Sequence, residues 1–234
     1  MSPTSAVAVA GTSLAGAALW CGPGLAVHWP PVARALNVPL TLEHGGGIAL
    51  TYDDGPHPEG TPAVLEALRR AEARATFFLV GEQVERYPEL AAQIVQEGHQ
   101  AAVHAFRHRN QMRLGAGAFT ADLERAVTTI TEACGQSPLW YRPPYGIFTL
   151  SGLAAVRRRG LKPLLWSKWG RDWRASSPAE IASLATRGLG DGDVILLHDA
   201  DWYSSPGCHR STAAATPAIL EALGRRGLSA VLLS

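Results

Sequence analysis

From residue 47 to the C-terminus, short apolar runs alternate with stretches of helical periodicity, and few architectures accept that pattern. The runs lie at residues 48–51, 76–80, 100–103, 140–142, 163–166, 194–197 and 229–233. Between them, residues 62–73, 88–97, 120–134, 151–159, 178–188 and 212–226 carry helix-period apolar positions. Thr61-Pro62, Tyr87-Pro88, Ser177-Pro178 and Thr216-Pro217 put proline where first helical turns accept it. Gly98, Gly135, Gly160, Gly188 and Gly227 stand where helices end. Regular strand–helix alternation argues for a parallel sheet, and this length suits a barrel better than a short open sheet. With 234 residues, 47% of them hydrophobic, the chain can build one sizeable core. There is no internal repeat and no long linker, so residues 47–234 read as a single α/β domain.

Composition removes several function classes. Lys+Arg at 21 against Asp+Glu at 20 gives a net charge of +1, without a basic stretch that would mark a nucleic-acid footprint. Cys21, Cys134 and Cys208 lie far apart without a CxxC pair, so neither a disulfide framework nor a cysteine zinc site follows. A buried thiol is the expectation for Cys208.

Residues 1–46 form an apolar, Ala-rich N-terminal extension, and residues 1–33 contain no Lys, Arg, Asp or Glu. Three readings stay open: an Ala-rich helix on or beside the domain, an uncleaved membrane anchor, and a cleaved signal. A signal needs a basic n-region, whereas the first basic residue here is Arg34, after the apolar run. A span of roughly 20 apolar residues is reached only by crossing Gly22-Pro23-Gly24. Localisation therefore stays between membrane-associated through residues 1–33 and cytoplasmic, with export the weakest reading.

Ionisable residues gather just after the runs. Run one leads into Thr51-Tyr52-Asp53-Asp54-Gly55-Pro56, run three into His104-Ala105-Phe106-Arg107-His108, and run four into Arg142-Pro143-Pro144-Tyr145-Gly146. Run five precedes Asp172-Trp173, and run six ends at His198-Asp199. In a parallel barrel these ends surround one mouth, where such folds build active sites. His104 and His108, four apart, point the same way if they share a helical turn and can grip one metal ion. A carboxylate from another strand would complete the set. Of the adjacent Asp53 and Asp54, one can ligate while the other serves as a general base. A cation such as Arg142 would orient that base, His198 could protonate a leaving amine, and Asp172 could hold its ring and raise its pKa. Singly, each piece has a duller explanation as a turn, a solvated pair or a rigid connection. Five of them at strand ends do not.

In order, these motifs resemble those of the polysaccharide deacetylase (NodB-homology) family of metal-dependent carbohydrate esterases, over about residues 47–233. Arg171-Asp172-Trp173, Leu196-Leu197-His198 and Thr76-Phe77-Phe78 complete the match. The resemblance implies a distorted (β/α) barrel of about seven parallel strands and metal-dependent hydrolysis of an N-acyl group, usually acetyl on glucosamine. It implies that Asp54, His104 and His108 bind a divalent metal, zinc by preference, and that Asp53 is the catalytic base. It further implies His198 as catalytic acid tuned by Asp172, Arg142 as the group orienting Asp53, the Tyr145 backbone N–H as an oxyanion donor, and Trp173 and Leu196 as the acyl pocket.

The chain departs from the family pattern in places. Tyr52 replaces the usual Phe, Ala105 stands for Ser or Thr, Ala102-Val103 for Gly-Asn, and Trp169 for an acidic residue. With Trp166, Trp173 and Trp202, Trp169 brings aromatic surface to the expected mouth, suited to sugar rings, acyl chains or ordinary packing. These changes bear on the substrate more than on catalysis. The substrate is open between a glycan polymer, a small or lipid-linked amino sugar (N-formyl included) and a specialised metabolite. A non-catalytic glycan-binding protein on the same scaffold predicts a missing ligand, base or acid, whereas all are present. Two imidazoles and a carboxylate also accept cobalt, nickel or manganese.

Overall fold

The computed structural model describes residues 22–26 and 28–234. Cys21 and the greater part of the uncharged N-terminal stretch lie outside the described residues. Strands β1 (Ile48–Asp53), β2 (Thr76–Leu79), β3 (Gln100–Val103), β4 (Trp140–Tyr141), β5 (Lys162–Pro163), β6 (Lys168–Trp169) and β7 (Val194–His198) follow the spatial order β5-β4-β3-β2-β1-β7-β6, and β8 (Ala230–Val231) joins beside β1. All these pairings are parallel. β7 runs along the whole of one edge of β1, from Ala49↔Val194 to Asp53↔His198. On the other edge β8 takes the start of β1 and β2 its end. The result is a curled, distorted (β/α) barrel.

Side-chain alternation along β1 divides the core in two. Ile48, Leu50 and Tyr52 belong to the larger cluster, packed against the helices. Ala49 belongs to a smaller one, with Phe78, Ala102, Trp140, Leu164, Val194 and Leu233, which fills the barrel interior. On the same interior face of β1, Thr51 and Asp53 follow at two-residue steps. The strand therefore carries its polar residues inward at the C-terminal end, where the interior opens.

The wrapping helices are α1 (Pro30–Ala35), α2 (Gly60–Arg70), α3 (Gly81–Arg86), α4 (Pro88–Gln96), α5 (Ala116–Cys134), α6 (Leu150–Arg158), α7 (Pro178–Ala185) and α8 (Cys208–Gly224). α5 buries Phe119, Leu123, Ala126, Val127 and Ile130, a stripe at helical spacing, and stops at Gly135, where φ is +68°. Thr149 and Ser177 cap α6 and α7 through their side-chain oxygens. α3 is absent from the sequence expectation, being too short to show periodicity. It forms because the Gly81 and Glu82 N–H groups donate to the carbonyls of Ala105 and Phe106. Pro217, expected in a first turn, lies inside α8, with Thr216 Oγ1 bonded back to the Thr212 carbonyl at 3.1 Å.

The strand expected at 163–166 pairs in the sheet only at its start and is otherwise the middle of one extended segment. It leaves β4 at Tyr141↔Pro163 and joins β7 at Lys168↔Ile195, crossing the gap that a seven-strand path leaves in a barrel. Residues of the N-terminal extension help to fill that gap. Ala26, Ala33 and Val38 are part of the main core. The Leu165 N–H, in mid-gap, donates to the Pro39 carbonyl at 3.0 Å, while Thr41 bridges Asp193 and Leu42 N–H bonds the Gly192 carbonyl. Among the described residues no helix is long and apolar enough to cross a membrane.

Phe78, fully buried, is the largest apolar side chain of the small interior cluster apart from Trp140. Phe78→Ala should lower the unfolding free energy by about 3–5 kcal/mol, read as a shift in urea midpoint. A change under about 1 kcal/mol would mean that the interior cluster collapses around the loss.

Candidate active site

Asp53 ends β1, and Asp54 follows it with a left-handed backbone at φ +78°. Ala105, Tyr145 and Arg171, just beyond β3, β4 and β6, share that conformation, at +83°, +62° and +53°. Non-glycine residues rarely adopt it, and its recurrence around one rim marks a place where backbone strain is stored. The strain turns consecutive side chains inward. His104 and His108 do not share a helical turn, as their spacing suggested; residues 104–110 form an irregular loop. Asp122 of α5 shapes it by accepting from the Phe106 N–H at 2.8 Å and from Arg109 at 2.7 Å. The two rings nonetheless converge, with centroids 5.3 Å apart.

Asp54 Oδ1 lies 3.4 Å from His104 Nε2 and 3.3 Å from His108 Nε2. It is buried and has no hydrogen-bond partner among the described residues. His104 Nδ1 lies 2.9 Å from the Arg142 carbonyl, so Nδ1 carries the proton and Nε2 turns a lone pair toward Asp54. Burial pushes the pKa of both imidazoles down to about 3 and that of Asp54 up to about 7. Neutral rings and an unpaired carboxylate oxygen facing one point are what a cation requires. The separations also match the ligand–ligand edge, about 3.3 Å, of a tetrahedral centre with bonds of about 2.0–2.1 Å. Among the described residues, Asp54, His104 and His108 can hold a metal ion.

Asp53 points the other way. Its Oδ1 accepts from Arg142 Nη1 at 2.6 Å, leaving Oδ2 toward the triad, 3.8 Å from His104 Nε2. Burial raises the pKa of Asp53 above the carboxylate range, opposed by Arg142. Arg142 is itself fully buried. It also donates to Thr51 Oγ1 at 2.9 Å and to the Leu165 carbonyl at 3.0 Å, and its guanidinium lies 4.0 Å from the Phe78 ring centroid. Across the cavity, His198 Nδ1 is 3.0 Å from Asp172 Oδ1, and Asp172 Oδ2 accepts from the His198 N–H and Thr212 Oγ1. Burial disfavours charge on His198, but Asp172 and then the β1 carboxylates outweigh it and push its pKa up to about 10.

Asp53, Asp54, His104, His108 and His198 line a cavity of about 260 Å³, with Trp166, Trp169, Trp173 and Leu196 as its apolar wall and Tyr145 at its rim. Trp169 is the register partner of Leu196, so both face inward. Trp202 stands apart from the wall. It packs on His57 and Tyr87 and donates its indole N–H to the Pro56 carbonyl at 3.2 Å. Of the expected site residues, Asp53, Asp54, His104, His108, Tyr145, Trp173, Leu196 and His198 line this one mouth, while Arg142 and Asp172 lie buried behind it, bonded to Asp53 and His198. Sequence reasoning missed His28 and Tyr203, which also line the cavity. Tyr203 sits five residues past the end of β7, within reach of the strand-end rule, whereas His28 lies in the segment read as an extension. Cys208 is buried, and burial pushes its thiol up to about 12. A larger groove, about 880 Å³, runs between α2 and α8. Its Glu66 is already paired with exposed Arg69 and Arg70.

Comparison with known proteins agrees with this geometry. The profile of the polysaccharide deacetylase family matches residues 43–164. The chain is 32% identical over 194 residues to a chitooligosaccharide deacetylase of Azorhizobium caulinodans, covering 80% of this chain and 92% of that one. It is 34% identical over 194 residues to a peptidoglycan-N-acetylglucosamine deacetylase of Bacillus cereus, covering 80% and 86%. The family 4 carbohydrate esterase of Streptomyces lividans, solved with acetate, superposes with a TM-score of 0.73 at 32% identity, over 81% of this chain and 93% of that one. With five motifs in order, a cavity that gathers them and relatives matched over most of their length, this chain belongs to the polysaccharide deacetylase family.

Proposed function

We propose that this protein is a metal-dependent hydrolase that removes the N-acetyl group from a glucosamine unit of a chitooligosaccharide or peptidoglycan-type glycan. The observation that carries the reading is the unpaired, buried Asp54 Oδ1 between the Nε2 atoms of two imidazoles that burial keeps neutral, beside a second carboxylate held by Arg142. Asp54, His104 and His108 would hold the ion, zinc by preference for two nitrogens and one oxygen. When bound, the ion supplies Lewis acidity for the acyl carbonyl and for the attacking water.

The remaining steps belong to the chain. Asp53 takes a proton from the attacking water at Oδ2, the oxygen that Arg142 leaves free. The Tyr145 backbone N–H donates to the developing oxyanion. Trp173 and Leu196 enclose the acyl methyl and keep water from its face. As the C–N bond breaks, His198 gives its Nε2 proton to the amine nitrogen, while Asp172 holds Nδ1 and the ring. Acetate and a free amino sugar leave. The cavity, about 260 Å³, is just below the usual size of ligand sites, roughly 300–1,000 Å³. That favours one sugar unit with its acyl group at the centre. Residues 1–33 are proposed as a point of membrane association, which washing membranes at high salt would check.

Acetate release from chitooligosaccharides and a peptidoglycan fragment, with and without added zinc, tests the whole reading. Zinc-dependent release is expected, and silence on both substrates with one equivalent of metal bound would reject the substrate class. Asp53→Asn should cut kcat by about 10²–10⁴-fold with metal content unchanged, and loss of metal would mean that the two aspartates exchange roles. His104→Ala should bind substoichiometric zinc by elemental analysis; full occupancy would remove His104 from the ligand set. As catalytic acid, His198 must be protonated, so activity falls as pH rises through its pKa. Asp172→Asn removes the main upward influence and should move the basic limb of the pH–rate profile to lower pH. A limb that stays in place would separate Asp172 from the acid.

A further inference from the structure

The two imidazoles that face Asp54 are oriented by different means. His104 is held by the hydrogen bond from Nδ1 to the Arg142 carbonyl, the usual outer-shell arrangement for a ligating histidine. His108 has no equivalent from another residue: its Nδ1 is buried and, beyond its own backbone, without a partner among the described residues. Its ring plane rests instead on Tyr203, whose ring is stacked on it at a centroid distance of 4.2 Å and an interplanar angle of 8°. Tyr145 closes the other contact edge-on at 4.7 Å.

Tyr203 is itself fixed at its far end. Its hydroxyl donates to Glu82 Oε1 at 2.8 Å and accepts from Gln83 Nε2 at 3.0 Å, both on α3. The loop that carries it is braced below. Asp201 accepts from the Gly207 N–H at 2.6 Å and lies 3.2 Å from His57 Nε2 and 3.3 Å from His209 Nδ1. His57, Asp201 and His209 have the composition of a second metal site, but His57 cannot serve in it. His57 Nδ1 accepts the backbone N–H groups of Glu59 and Gly60 at the start of α2, so Nε2 carries the proton and has no lone pair to give. The cluster is a brace, and what it steadies is the aromatic ring over His108.

We propose that Tyr203 is a positioning residue for the metal centre: by stacking on His108 it supplies the ring orientation that hydrogen bonding supplies for His104, and so sets the affinity for the ion. The proposal rests on the reading of Asp54, His104 and His108 as ligands. Loss of an outer-shell partner lowers metal affinity by about 10–100-fold, and Tyr203→Ala should fall in that range. Tyr203→Phe keeps the stack and gives up only the hydroxyl bonds, so it should stay within about threefold of wild type.

The experiment is zinc titration of the full-length apo-protein against a chromophoric chelator, with the cobalt-loaded absorption spectrum as a second readout. Wild type, Tyr203→Phe, Tyr203→Leu and Tyr203→Ala are compared, with apo-protein melting to identify variants that fail to fold. Graded loss in the order Phe, Leu, Ala, with a changed cobalt spectrum in the last two, is expected. Zinc affinity within twofold of wild type in both Leu and Ala variants overturns the proposal. So does a Phe variant as weak as Ala, which would assign the effect to the hydroxyl. A wild-type protein that binds neither zinc nor cobalt overturns the ligand reading itself and is told apart from those outcomes.

Discussion

One buried guanidinium connects nearly every part of this structure. Arg142 follows β4, stacks on Phe78 of β2, and bonds Asp53 and Thr51 of β1 and the Leu165 carbonyl in the segment that crosses the barrel gap. Its own carbonyl faces His104, beyond β3. Burying a cation completely is costly unless its charge and N–H groups are met, and here an aspartate, a hydroxyl and a carbonyl meet most of them. The same contacts fix Asp53 and turn His104 Nε2 toward Asp54. Fold and active site are therefore one set of interactions: the interior needs the arginine compensated, and the compensating groups are those the proposed chemistry uses.

The rest of the site follows from burial. Low-dielectric surroundings keep both candidate ligand imidazoles neutral and raise Asp54 and Asp199 to about 7. Across the cavity, Asp172 and the β1 carboxylates do the reverse for His198. Burial thus keeps neutral ligands on one side of the cavity while aspartates hold a charged histidine on the other. Environments that push titratable groups apart in this way separate acid from base. The left-handed backbones at Asp54, Ala105, Tyr145 and Arg171 show what holds such groups together: loops that give up comfortable geometry to aim their side chains.

Much of this was legible in the chain. The alternation of β-type runs and helical stretches identifies the parallel sheet, and the strand-end rule gathers Asp53, Asp54, His104, His108, Arg142, Asp172 and His198 from the sequence alone. Failures fell where local pattern carries no information. α3 is held by carbonyls from a distant loop, so its six residues show no periodicity of their own. The 163–166 run looks like one strand because it is apolar and extended, yet only Pro163 pairs, with β4, and β7 is joined beyond the run at Lys168. Trp202 resembles its three tryptophan companions in sequence but turns to Pro56 rather than into the cavity. The spacing of His104 and His108 suggested a helical turn, and an irregular loop brings the rings together instead.

The sequence by itself determined the alternation of strands and helices, α3 and the split 163–166 run apart, and the identity of the groups at the mouth. Periodicity and strand ends are local properties, readable without knowing what packs where. Only the tertiary structure decided which oxygen of Asp53 is free, which nitrogen of His104 carries a proton, and that Tyr203 rather than a hydrogen bond orients His108. Those depend on partners as many as about a hundred residues away, Arg142 for Asp53 and Tyr203 for His108. A chain of residue types states which groups are present; hydrogen-bond direction and ring stacking exist only once the sheet has curled and the gap has been crossed.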